Sequence, residues 1–90
     1  MNIHYQKRFL KDLAKIPSKT RSKIECFVFE ELPHAQNLAG IGKVEKMTGY
    51  DLFYKVTFGS YRVGLRLAEN SVVCERVMHR RDIYRFFPPM

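Results

Sequence analysis

Cysteine is scarce in this sequence. Cys26 and Cys74 are the only two, far apart, with no CxxC pair and no histidine at ligand spacing. They read as two packed thiols in a reducing compartment, which leaves out a disulfide framework, a thiolate metal site and a cysteine nucleophile. His4, His34 and His79 are scattered too widely for a zinc pattern, so neither a metal nor another cofactor is expected. Long apolar runs are missing as well. The opening MNIHYQKRFL holds none of signal-sequence length, and no segment approaches the roughly 20 apolar residues of a membrane helix. The expectation is a cytoplasmic protein without membrane contact. Acidic residues are also few: nine Asp and Glu stand against sixteen Lys and Arg, a net charge of +7. Such an excess in so small a chain favours a polyanionic partner, nucleic acid first.

What is present fits one domain over residues 1–90, with 46% apolar residues to build a single core. The basic residues are unevenly distributed. All eight lysines lie at or before Lys55, whereas Arg62, Arg66, Arg76, Arg80, Arg81 and Arg85, six of the eight arginines, come after position 60. The planar guanidinium fork matches phosphate oxygens, while lysine is a mobile, strongly hydrated charge. The C-terminal third is therefore the part expected to read anions.

Ile3 and Tyr5 alternate with polar neighbours in NIHYQ, a short first strand. From Gln6 the period changes, and Phe9, Leu10, Leu13 and Ile16 mark an amphipathic helix stopped by Pro17, with Lys7, Lys11 and Lys15 opposite. The lysines are read as a solvated face, and Phe9 and Leu13, near the surface edge, as a docking strip for a partner. Ser18 is placed as the cap of a second helix, whose Ile24, Phe27, Val28 and Leu32 form an apolar stripe before Pro33. Residues 33–49 hold Pro33, Asn37, Gly40, Gly42 and Gly49, an irregular connection with one short strand near KVEKM. LFYKVTF, YRVGLRLA and SVVCERVM then read as a three-stranded meander turning at GS and EN. Tyr61, Val63, Leu65 and Leu67 would face the core, and Arg62, Gly64 and Arg66 the other side. Glu75 shares the spacing of Val73 and Val77, so either the core thins there or a bulge changes the register. HRRDIYRFF closes the chain as a short helix packed through Ile83 and Phe87 and stopped by Pro88 and Pro89. The fold class is α+β: an N-terminal strand, an α-helical hairpin and a mainly antiparallel meander with a short C-terminal helix.

On that plan Lys55, Arg62 and Arg66 line a shallow cationic trough left open at Gly64, with Arg80 and Tyr84, four apart, pointing the same way and His79 at the rim. Without a metal, such a trough suits RNA. The 2′-hydroxyl is a built-in nucleophile, and the protein need supply only a base, cations for the crowded phosphorane and an acid for the departing 5′-oxygen. DNA lacks that hydroxyl. Histidine is the usual proton carrier near neutrality, yet lysine serves where neighbouring cations favour its neutral form, so Lys55 and His79 are rival bases. Each residue also has a plain alternative: Arg62 as a cross-strand partner of Glu69 or Glu75, Arg66 as a structural cation, Tyr84 as packing, His79 as a cap.

The run from MTGYDLFYKVTF through GSYRVGLRLA to VMHRRDIYRFF resembles the C-terminal half of the RelE/ParE superfamily of bacterial toxins. The resemblance rests on a Gly-x-Tyr-Arg turn (Gly59, Ser60, Tyr61, Arg62) and a His-Arg-x-x-x-Tyr ending (His79, Arg80, Tyr84). It implies a RelE-type endoribonuclease that cuts mRNA in the ribosomal A site and assembles with a cognate RelB-like antitoxin. Carried onto this sequence, Lys55, Arg62, His79, Arg80 and Tyr84 form the catalytic set: Arg62 as phosphate stabiliser, Arg80 as acid or phosphate clamp, Tyr84 as orienting or stacking aromatic. Arg66, Arg76, Arg81 and Arg85 are left to hold RNA. Thr57 stands where the family often has a second basic residue, which raises the weight on His79 as base. The alternatives are a ParE-like poison of DNA gyrase and a nucleic-acid-binding module without chemistry.

Overall fold

The structure, a computed structural model, describes residues 1–88. Strand β1 (Asn2–Tyr5) leads into helix α1 (Lys7–Ala14) and helix α2 (Ser18–Cys26). The chain continues helically through a wider π-turn at Phe27–Glu31 and a last turn, α3 (Leu32–His34). Strands β2 (Val44–Lys46), β3 (Phe53–Phe58), β4 (Tyr61–Ala68) and β5 (Ser71–His79) precede the terminal helix α4 (Arg80–Ile83). The sheet order is β1-β5-β4-β3-β2, with β1 parallel to β5 and the remaining pairs antiparallel. This is the expected α+β plan, and the helical hairpin covers one face of the sheet.

Local details differ where tertiary packing overrides the sequence signals. In α1 the buried side chains are Phe9, Asp12 and Leu13, so Leu10, 42% exposed, is off the stripe. Phe9 and Leu13 are in the core, which removes them as a docking strip; the exposed apolar residues of the hairpin are Leu10 and Phe29. Ser18 is the first helical residue instead of a side-chain cap. Pro33 does not end the helix. It has no N–H to return to Val28, five residues back in the π register, and the Val28 carbonyl is taken instead by the Tyr5 hydroxyl at 2.6 Å. Pro89, expected with Pro88 to end the last helix, lies outside the described residues.

The main core joins Phe9, Ile24, Phe27, Val28 and Leu32 of the helices to Val56, Val63, Leu65, Val72, Cys74 and Val77 of the sheet. Burial pushes the Cys74 thiol up to about 12, so it is a packed, inert group, whereas Cys26 is exposed, contrary to the expectation of two packed thiols. On the opposite face a smaller cluster of Met47, Ile83 and Phe87, with Phe53 and Met78, roots the C-terminal tail.

The ambiguity at Glu75 is resolved by a bulge. Gly64 pairs with Arg76 and Leu65 with Cys74, so Glu75 is the unmatched extra residue on β5. Val77 lies opposite Val63 on the core face, but Val73 lies opposite Arg66 on the other. Glu75 is 2% exposed and accepts from Arg8 at 2.8 Å and Arg66 at 2.7 Å. Burial by itself pushes the carboxyl up, but the two guanidinium groups together outweigh burial and hold it below the usual glutamate range. A carboxylate whose folded pKa is depressed stabilises the fold above its unfolded value and loses that contribution as pH falls through the folded value. Melting temperatures followed from about pH 7 to about pH 3 should therefore fall less steeply for Glu75→Gln than for the parent chain. Equal acid slopes would show that the two arginines do not favour the ionised form.

A second buried carboxylate joins α1 to the sheet. Asp12 accepts from Arg76 through both oxygens, at 2.7 and 3.0 Å, and from the Val77 amide at 3.3 Å. Helix α1 thus satisfies a strand amide of β5 beyond the end of β1.

Candidate functional site

The bulge and the ladder register decide which basic residues share a face. Lys55 lies opposite Gly64, Arg62 opposite Thr57 and Met78, and Arg66 opposite Phe53, all on the side away from the main core. Lys55 and Arg62 are diagonal neighbours across β3 and β4, about 7–8 Å apart at the backbone, a gap that long side chains span. The two strands are joined at Gly59, whose φ of +59° supplies the left-handed position a two-residue hairpin turn requires.

Helix α4 is short, but its spacing distributes four chemistries around it. Ile83 and Phe87 point down into the small core, and Phe87 meets Phe53 edge-on with centroids 5.3 Å apart. Arg80 and Tyr84, one turn apart, share a second side. Tyr84 places its hydroxyl 3.4 Å from Lys55 Nζ, and the ammonium lies 5.9 Å from the ring centroid. Phe86 lies on the β5 side, its ring centroid 5.0 Å from Arg76 Cζ. The Arg80 amide donates to the Ser60 carbonyl at 2.7 Å, which fixes the start of α4 beside the turn that precedes Arg62.

The residues singled out in the sequence separate into three groups. On the outer face Lys55 meets Tyr84, Arg62 lies two residues along β4 toward the hairpin turn, and Arg80 opens α4 beside that turn. Arg62 donates only to the Gly59 and Tyr61 carbonyls, at 2.8 and 3.0 Å. Among the described residues Lys55, Arg62, Arg80, Arg81 and Arg85 have no carboxylate partner. Arg66 and Arg76, by contrast, are engaged by Glu75 and Asp12. Neither Glu69 nor Glu75 partners Arg62. His79 stands apart: Tyr61, its cross-strand neighbour, packs against the main core, with the two rings 5.6 Å apart. The His79 Nδ1 accepts from the Arg81 amide at 3.1 Å as the cap of α4. It borders a cleft of about 390 Å³ with Lys15, Tyr61, Asp82 and Phe86, which Lys55 does not line.

The expected trough is also narrower than the sequence suggested. The space above Gly64, which lies between Arg62 and Arg66 on β4, is filled by the Phe87 ring. Sequence reasoning missed Asp12 and Phe86. Asp12 left a signal: it is the only acid in a helix of lysines, at the i+3 position from Phe9, where the buried stripe runs. Among the described residues no three His, Cys, Asp or Glu side chains converge on a metal-sized site, and no helix is long and apolar enough to cross a membrane.

Residues 3–84 match the family model described as ParE toxin of type II toxin-antitoxin system, parDE. Toxin RelE3 of Methanocaldococcus jannaschii is 32% identical over 89 residues, spanning 98% of this chain and all of that protein. The toxin in the crystal structure of a RelB-RelE antitoxin-toxin complex from Methanococcus jannaschii superposes with a TM-score of 0.78 at 30% identity, covering 94% of this chain and 99% of that one. A substituted Escherichia coli RelE in the free state shares the fold, with a TM-score of 0.68 at 21% identity over 93% of this chain and 90% of that one. With the family model spanning nearly the whole chain and a RelE toxin matched end to end, this chain belongs to the RelE/ParE superfamily and is a RelE-family toxin of the type II toxin-antitoxin class.

Proposed function

We propose that this toxin is an endoribonuclease that cleaves mRNA in the ribosomal A site by attack of the 2′-hydroxyl on the adjacent phosphate. The observation that carries this reading is the Lys55–Tyr84 contact, 3.4 Å long, on the face where Arg62 is held without a carboxylate partner. A gyrase poison or a passive binder has no need of a base, an aromatic and uncompensated guanidinium groups together.

In the reaction Lys55 takes the proton of the 2′-hydroxyl, with Tyr84 orienting the nucleotide. The new 2′-oxygen–phosphorus bond forms as the bond to the 5′-oxygen breaks, leaving a cyclic phosphate and a 5′-hydroxyl. Arg62 stabilises the phosphorane oxygens, and Arg80 holds the phosphate beside the departing 5′-oxygen, which takes its proton from Arg80 or from water. These cations make the route independent of a metal ion. On this reading Lys55 is preferred to His79 as base, because the His79 Nδ1 is occupied in the cap and Lys55 does not line the cleft His79 borders. Arg81 and Arg85, exposed and without carboxylate partners, hold the RNA backbone; Arg66 and Arg76 leave the RNA-binding set because their charge is already met. The site of action is the cytoplasm, where ribosomes translate. The partner is a RelB-like antitoxin, as in the solved M. jannaschii complex, assembled with the toxin and acidic enough to complement its charge of +7.

A second reading follows from the description of the family model, which names the ParE toxins. Primer-extension mapping of a translated message after brief expression separates the two. Codon-phased breaks from the parent chain, absent for Lys55→Ala and Arg80→Ala, are the expected result. Uncut messages accompanied by DNA damage would transfer the protein to the gyrase reading.

A further inference from the structure

We propose that Gly64, Phe87 and Arg76 are positioning residues that clamp the C-terminal tail across one row of the sheet and thereby set the Tyr84 hydroxyl against Lys55; the catalytic part of this inference rests on the nuclease reading above.

Lys55, Gly64 and Arg76 are successive partners across β3, β4 and β5. Each meets one residue of the tail. Tyr84 reaches Lys55 at 3.4 Å, Phe87 covers Gly64, and Phe86 lies over Arg76 at 5.0 Å. Gly64 is a glycine for space alone. Its φ is not positive, and a glycine in mid-strand weakens the sheet, yet a Cβ at this position would lie 2.7 to 2.8 Å from three carbons of the Phe87 ring. Arg76 is a rigid shelf instead of a mobile cation, because Asp12 grips it through both carboxylate oxygens. Asp12 is itself anchored to the Val77 amide.

Helix α4 has four residues, too few to hold a conformation by its own hydrogen bonds. Tyr84 follows it, 53% exposed, with Ile83 buried on one side and Phe87 buried beyond the exposed Phe86 on the other. The position of its hydroxyl is therefore imposed by the residues that grip the tail. A displacement of about 1 Å at a reacting group can cost on the order of a hundredfold in rate.

The test uses the full chain. Gly64→Ala should lower kcat for RNA cleavage by about ten- to a hundredfold with KM nearly unchanged, and should erase the nuclear Overhauser cross-peaks between the Tyr84 ring and the Lys55 methylenes. Gly64→Ala with Phe87→Leu, whose smaller and more flexible side chain can turn aside from the new methyl group, should recover part of both. Phe87→Ala, which empties the notch without altering a strand, supplies the same two readouts where Gly64→Ala does not fold. Cross-peaks that persist in the variants overturn the clamp, and cross-peaks that vanish while kcat stays at the parent value overturn its role in positioning. A parent chain that cuts no RNA defeats the nuclease reading, and with it the catalytic part of this inference, while the Overhauser measurement still decides the clamp.

Discussion

If the toxin is the nuclease proposed above, replacing Arg62 with alanine will lower RNA cleavage by about a hundredfold or more, the usual cost of removing a donor aimed at developing negative charge. The expectation comes from what Arg62 touches. Its guanidinium donates to two carbonyls of its own turn and to no carboxylate, so the fold has little use for the charge. Those bonds hold the side chain at the hairpin end, next to the start of α4. The variant should melt within a few degrees of the parent, because a partly exposed side chain with only local partners is lost cheaply. Arg62→Lys should restore only part of the rate, since an ammonium cannot hold two phosphate oxygens in one plane. Single-turnover cleavage on programmed ribosomes, alongside thermal melts, checks both halves. A rate for Arg62→Ala within about threefold of the parent, far short of the usual cost of such a donor, would remove Arg62 from the mechanism.

The largest effect on stability is expected at Arg76. Arg76→Ala leaves Asp12, 9% exposed, with only the Val77 amide for company. Breaking a buried ion pair from one side costs about 3–5 kcal/mol. In a domain of this size each kcal/mol lowers the melting temperature by about 4–8 °C, so a fall of at least about 12 °C is anticipated. The penalty belongs to the stranded carboxylate, not to the charge pair as such. Asp12→Leu combined with Arg76→Met should therefore be more stable than Arg76→Ala alone, because the cost left behind, a Val77 amide without its acceptor, is smaller than that of a stranded carboxylate. A fall of less than about 4 °C for Arg76→Ala would mean that water reaches Asp12.

Much of this architecture was legible because it depends on local periodicity. Ile24, Phe27, Val28 and Leu32 all reach the core from one face of a helix, and GS and EN mark the turns between β3, β4 and β5. Ile83 and Phe87 announced the packed side of α4 through their spacing. The features that were not legible depend on partners distant in sequence. The bulge at Glu75 is settled by Arg8 and Arg66, and alternation alone could place Val73 and Val77 on one side when they occupy two. Pro33 stays within a helix because Tyr5 takes a carbonyl that no N–H can reach. That Lys55 and Tyr84 share a face could be read from the strand and helix repeats. That Arg66 and Arg76 already hold carboxylates, and that a phenyl ring occupies the space above Gly64, required the fold.

Omit Glu75 from β5, and the strand alternates without interruption: Val72, Cys74 and Val77 inward, Val73, Arg76 and Met78 outward. The residue is thus a supernumerary link, and its loss would shorten the strand without turning the later part inside out, as deleting most strand residues would. What would change is electrostatic. The one carboxylate that pairs with both Arg8 and Arg66 would go, and the net positive charge would rise by one unit. One bulged residue thereby limits how much of this toxin's positive charge is available to a polyanion.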